Sequence, residues 1–76
     1  MKQIINEYLA SAVVNGNEVR LVTRDSRYFI HWGKEGKIKT EQELLTLEGN
    51  PAKESEAIRQ FLEATEAAQY LTFSRL

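Results

Sequence analysis

Apolar residues near the start of the chain recur at helical spacing. Ile4, Ile5, Tyr8, Leu9, Ala12 and Val13 fall on one side of a 3.6-residue repeat, and Lys2, Gln3, Asn6, Glu7 and Ser11 on the other. This pattern predicts a helix over 2–14. Asn15-Gly16 suits its end, because both residues tolerate the left-handed backbone that closes many helices.

The period then changes to two. Stretches 18–24 and 27–33 are rich in β-branched and aromatic residues and flank Asp25-Ser26, which predicts a β-hairpin. Thr23 pairs with Tyr28 whether the loop holds two residues or four. The longer loop is favoured, because the shorter one sets Arg24 against Arg27. A third strand over 36–40 follows Lys34-Glu35-Gly36, read as a three-residue loop with Gly36 left-handed. In this register Val19, Leu21, Thr23, Tyr28, Ile30, Trp32, Ile38 and Thr40 share one face. Arg20, Val22, Arg24, Arg27, Phe29, His31, Lys37 and Lys39 share the other.

Thr40-Glu41-Gln42-Glu43 has the form of a capping box, which predicts a short helix over 41–48 ended by Gly49; Leu44–Leu47 also fits a strand. Asn50-Pro51 can open a last helix over 51–69, with Ser55 as a second candidate cap. Its inward stripe is Ile58, Phe61, Leu62, Thr65 and Ala68. Leu71–Arg75 alternates as an edge strand would. The expected fold is α+β: a three-stranded antiparallel sheet packed on one face by the first and last helices, in one domain over 1–76.

Composition narrows the function classes. The chain has 76 residues, 42% of them hydrophobic and 28% charged, with a formal net charge of −1 and no Cys. Disulfide frameworks, thiolate metal sites and Cys nucleophiles are excluded. The near-zero net charge hides an asymmetry. Over 20–39 six basic residues meet only Asp25 and Glu35, whereas over 40–68 seven glutamates meet only Lys53 and Arg59.

The basic sheet face is the candidate site, with partner-binding residues Arg20, Arg24, Arg27, Phe29, His31, Lys37 and Lys39. Arginine and aromatic side chains are the residue types that anchor protein interfaces. Cations interleaved with aromatics also suit single-stranded nucleic acid, with Phe29 and His31 stacking on bases. Catalysis finds less support. His31 is the only histidine, and a strand carries it roughly 15 Å from Asp25 and Ser26. One histidine and no Cys make a zinc site poor. Glu54, Glu56, Glu63 and Glu66 read as a solvated helix face.

Trp32-Gly33-Lys34-Glu35-Gly36 resembles the central Trp-Gly-Arg motif of WGR domains, small sheet-plus-helix modules found in DNA-repair enzymes, and Ala57, Ile58 and Phe61 stand where such a module has its helix. The resemblance implies DNA binding. Lys34 stands in place of the eponymous Arg, and the later Lys-Thr element is missing.

The expectation is thus a non-enzymatic, cytoplasmic binding or regulatory protein with no cofactor and no membrane segment. It acts on a protein partner through the basic face. Nucleic acid on the same face is the alternative, and a homodimer is compatible with so small a core.

Overall fold

A computed structural model describes residues 5–68 and 70–73. The elements are strands β1 (Glu7–Val14), β2 (Asn17–Arg24), β3 (Arg27–Lys34) and β4 (Lys37–Glu43), helix α1 (Glu54–Ala64) and strand β5 (Tyr70–Phe73). They build one five-stranded antiparallel sheet in the order β4-β3-β2-β1-β5, so β5 returns to the open edge of β1. The α+β class stands. The expected three-stranded sheet packed on one face by two helices does not: the described residues form five strands and one helix.

The region expected as the first helix is β1; positions 2–4 lie outside the described residues. Its helical spacing comes from a β-bulge. Tyr8 pairs with Val22 and Ala10 with Leu21, leaving Leu9 as the extra residue. Leu9, Ala10 and Ala12 are all buried, a spacing that mimics one face of a helix. Asn15-Gly16 is a hairpin turn rather than a helix end. Both residues have positive φ (51° and 82°), the conformation that matches the right-handed twist of the flanking strands.

The β2–β3 hairpin takes the tight loop. Asp25 and Ser26 both sit at positive φ (58° and 62°), and Arg24 pairs directly with Arg27. The like-charge penalty is met by carboxylates from β4. In the β3–β4 hairpin Gly36 is left-handed (φ 82°) as expected, but the strands close on Lys34 and Lys37. A register shift beside Gly33 then pairs Gly33 with Ile38 and Trp32 with Thr40. Gly33 permits this approach. A methyl group there would meet the Lys37 carbonyl oxygen and come within 2.8 Å of the Ile38 Cα and 2.9 Å of the Lys39 nitrogen.

The capping-box string continues β4 through Glu43 instead of opening a helix. Leu44 then hydrogen-bonds to Tyr28, and a loop folds back so that Ala52 N–H donates to the Leu44 carbonyl at 3.0 Å. Pro51 forms a bridge with Leu45 and so closes this loop rather than starting α1. The helix begins after Lys53, without a side-chain cap, and carries Glu54 and Glu56 in its first turn, where the helix dipole favours negative charge. It ends at Ala64, earlier than expected. Thr65 stops it, donating both its N–H and its hydroxyl to the Phe61 carbonyl (3.0 and 2.8 Å) while buried.

The core lies between α1 and the face carrying Ala10, Ala12 and Leu21, with Ala57 and Phe61 supplied by the helix. Val19, Tyr28, Ile30 and Phe73 pack around it, and Phe73 meets Phe61 edge-on at 6.4 Å. Leu21 and Phe61 are fully buried, each worth about 1.5–3 kcal/mol of burial. Leu62, expected inward, is 41% exposed.

Two predictions follow from this packing. Phe61→Ala should lower the unfolding free energy by about 3–5 kcal/mol in urea titrations, and Leu62→Ala by about 1 kcal/mol or less. Ser26→Gly should raise stability by about 1 kcal/mol, because it relieves a left-handed residue with a Cβ; a loss would mean that the Ser26 side chain supports the turn.

Candidate functional site

The sheet face opposite α1 carries three cross-strand rows. Tyr8, Val22, Phe29 and Glu43 align across β1 to β4, as do Ser11, Arg20, His31 and Glu41 one row further along. Arg24 and Arg27 form the row at the turn. Helix α1 packs on the opposite face, yet on this one Val22 is fully buried and Phe29 is only 6% exposed.

Arginines lie over the aromatic rings that flank Val22. The Arg24 guanidinium lies 4.3 Å from the centre of the Phe29 ring and reaches past it to Glu41 on β4, forming two parallel hydrogen bonds of 2.9 and 3.1 Å. A third bond, 3.3 Å, reaches Asn6. Arg20 lies 5.1 Å over Tyr8 and is held by Glu18 at 2.8 Å. Arg27 reaches Glu43 at 3.5 Å, the longest of these pairs, and the second Glu43 oxygen is buried without a hydrogen bond. A planar guanidinium can lie flat on a ring while its N–H groups bond sideways to a carboxylate, which a lysine cannot do.

His31 sits at the centre of the face, 2.7 Å from the same Glu41 oxygen that Arg24 holds. A carboxylate only accepts hydrogen bonds, so His31 Nε2 is the donor. The Glu41 carboxyl is held below the ordinary carboxylate range, first by the Arg24 hydrogen bond and then by that of His31. The Arg24 guanidinium is pushed above its ordinary value by the same bond. On α1 the Glu56 carboxyl is lowered by Arg59 and then Gln60, and Arg59 also binds Glu63.

Five of the seven expected site residues therefore share this face: Arg20, Arg24, Arg27, Phe29 and His31. Phe29 is a floor beneath Arg24 rather than an exposed ring. Lys37 does not join them: with Lys34 opposite Lys37, the register turns it to the Trp32 face. Lys39 falls at the register shift and borders both sides, one cavity with Trp32 and another with His31 and Glu41. Ile38 makes the opposite exchange and aligns with Gly33 on the outer face, whereas Thr40 keeps its place beside Trp32. Glu18, Glu41, Glu43 and Tyr8 were missed as parts of the site. Glu41 and Glu43 were legible as alternating acids opposite the basic strand, but the capping-box reading absorbed them.

No group of three His, Asp or Glu among the described residues is placed to hold a metal ion. No helix among them is long and apolar enough to cross a membrane. No family model, curated protein or solved structure matches the chain, so the Trp-Gly-Lys string stands as an isolated resemblance.

Since its folded value is depressed, the Glu41 carboxylate stabilises the fold above its ordinary value near 4.3, and that support is lost as pH falls through the lower folded value. Glu41→Gln should therefore flatten the fall of the urea midpoint below about pH 4.5, leaving the part due to Glu56. Acid limbs of equal steepness in the two proteins would contradict the assignment.

Proposed function

We propose that this is a non-enzymatic binding protein that acts on a protein partner through the outer sheet face, with Arg20, Arg24, Arg27 and His31 as contacts over a Phe29 and Val22 floor. The observation that carries the reading is the charge balance of that face. Arg20, Arg24 and Arg27 are each matched by a glutamate, Glu18, Glu41 and Glu43. Arg20 and Arg24 also lie over the Tyr8 and Phe29 rings, so a partner meets these two at low entropic cost. Their mixed charge suits a protein surface, which presents both signs. Nucleic acid on this face, the alternative, presents phosphates alone and would have to break these pairs. Arg27 is the least satisfied member, with a side chain 55% exposed, and is the natural contact for an added carboxylate.

The surroundings of His31 support the non-enzymatic part of the reading. The hydroxyl in its row is Ser11, two strands away, roughly 10 Å by strand spacing. That is outside the reach a nucleophile needs from its base. The absence of Cys accords with the cytoplasmic setting we assign.

The test is quantitative capture of partners by the wild-type protein and by Arg20→Ala and Arg27→Ala variants, each shown to be folded. A specific partner should be retained by the wild type and weakened about tenfold or more by Arg27→Ala. In parallel, single-stranded oligonucleotides should show no arginine-dependent binding between about 50 and about 200 mM salt. Arginine-dependent oligonucleotide binding that collapses over that range would replace this reading with the nucleic-acid one.

A further inference from the structure

We infer that the open end of the β3–β4 hairpin, on the sheet face that carries Trp32, is a binding site for a nucleoside di- or triphosphate. The base would stack on Trp32, and Lys34, Lys37 and Lys39 would take the phosphates. This site is separate from the outer face and does not depend on the reading given for it.

The charge arrangement is the first argument. Every arginine among the described residues has a carboxylate partner. Lys34, Lys37 and Lys39 form no ion pair among the described residues, although they lie within six positions of one another. Lys34 and Lys37 are a direct cross-strand pair, an unfavourable juxtaposition that nothing in the hairpin relieves. Glu35 stands between them in the turn, but its backbone N–H is engaged with the Gly16 carbonyl at 3.2 Å and its side chain makes no ion pair. The loop thus gathers three positive charges against the single carboxylate of Glu35, and none of the three is held in an ion pair among the described residues.

Shape is the second argument. These lysines border a cavity of about 500 Å³ whose other walls include Trp32, Asn17 and Thr40. That volume lies in the range of small-ligand sites. The bare Gly33 lets β4 close tightly on β3 and bring Lys37 and Lys39 to the same mouth. Trp32 is partly buried, stands outside the cluster of residues packed around Phe61, and lines this cavity.

Together these features select a ligand with a flat ring at one end and concentrated negative charge at the other. Three ammonium groups match the charge of a diphosphate or triphosphate, and lysine is a common phosphate binder. An acidic peptide or a bare polyphosphate would use the lysines and leave the indole uncovered. A nucleic-acid strand carries one charge per base, which spreads what this cavity gathers.

Trp32 is the only tryptophan of the chain, so its fluorescence reports the site directly. ATP and ADP should quench its emission saturably, with an affinity that falls as salt is added. Lys37→Ala and Lys39→Ala should each weaken binding about tenfold. Adenosine and pyrophosphate, tested separately, should each bind at least about tenfold more weakly than ATP. Lys37→Glu should abolish quenching and raise Tm by about 2–4 °C, because it turns the like-charge pair into an opposite one and keeps the fold intact. The proposal is overturned if ATP gives no saturable quenching up to about 5 mM. It is equally overturned by unchanged affinity in the lysine variants, by pyrophosphate binding as tightly as ADP, or by a single-stranded oligonucleotide binding more tightly than ATP.

Discussion

One helix cannot cover both sides of this sheet. Helix α1 has 11 residues, roughly 16 Å of length, and the five strands span roughly 19 Å between edge axes. The helix is therefore committed to one face, where Phe61 and Ala57 fill the space above Leu21, Ala10 and Ala12. The second face must exclude water with side chains that start in the sheet itself. Arginine meets this need, because its long apolar stem and flat head can lie over a neighbouring ring and still end in a hydrogen-bonded charge. The span from Arg24 over Phe29 to Glu41 is the clearest case, crossing from β2 to β4 above β3.

This solution has electrostatic consequences on both faces. The outer surface is dressed with charge but balanced, since Glu18, Glu41 and Glu43 pair with Arg20, Arg24 and Arg27. The positive charge left over is lysine charge, and the register of β4 gathers it at the hairpin end beside Trp32. The tight turn that pairs Lys34 with Lys37 sends Lys37 to the Trp32 side of the sheet and Ile38 to the other, and the register shift beside Gly33 then returns Thr40 to the Trp32 side. The two surfaces differ in kind for this reason: the arginines of one are paired with glutamates, whereas the other is cationic and concave.

Strand parity over β2 and β3 was readable from the sequence, because alternation there is regular and both faces need it. Val19, Leu21 and Ile30 lie toward the helix, and Arg20, Phe29 and His31 lie away from it. The expected edge strand near the end exists as β5; positions 74–75 lie outside the described residues. The first strand was hidden by its own bulge, since an extra residue at Leu9 converts a two-residue repeat into a passable helical one. Asn15-Gly16 carried the correct signal, but the same two residues also end helices. Repulsion between Arg24 and Arg27 favours a wider loop at Asp25-Ser26 only while β4 is absent. Once Glu41 and Glu43 arrive from a strand far along the chain, the tight turn carries no penalty from charge. Local patterns thus settled the central hairpin, whereas the partners of its charges were fixed only by tertiary pairing.

The account stands or falls on whether an uncovered sheet face is closed by its own arginines. Solvent accessibility of side chains, read by NMR with a soluble paramagnetic probe, tests this directly. The Val22 methyl groups and the Phe29 ring should be as protected as the Leu21 methyl groups under the helix, while the Leu47 methyl groups are strongly broadened. Broadening of Val22 and Phe29 to the level of Leu47 would contradict it.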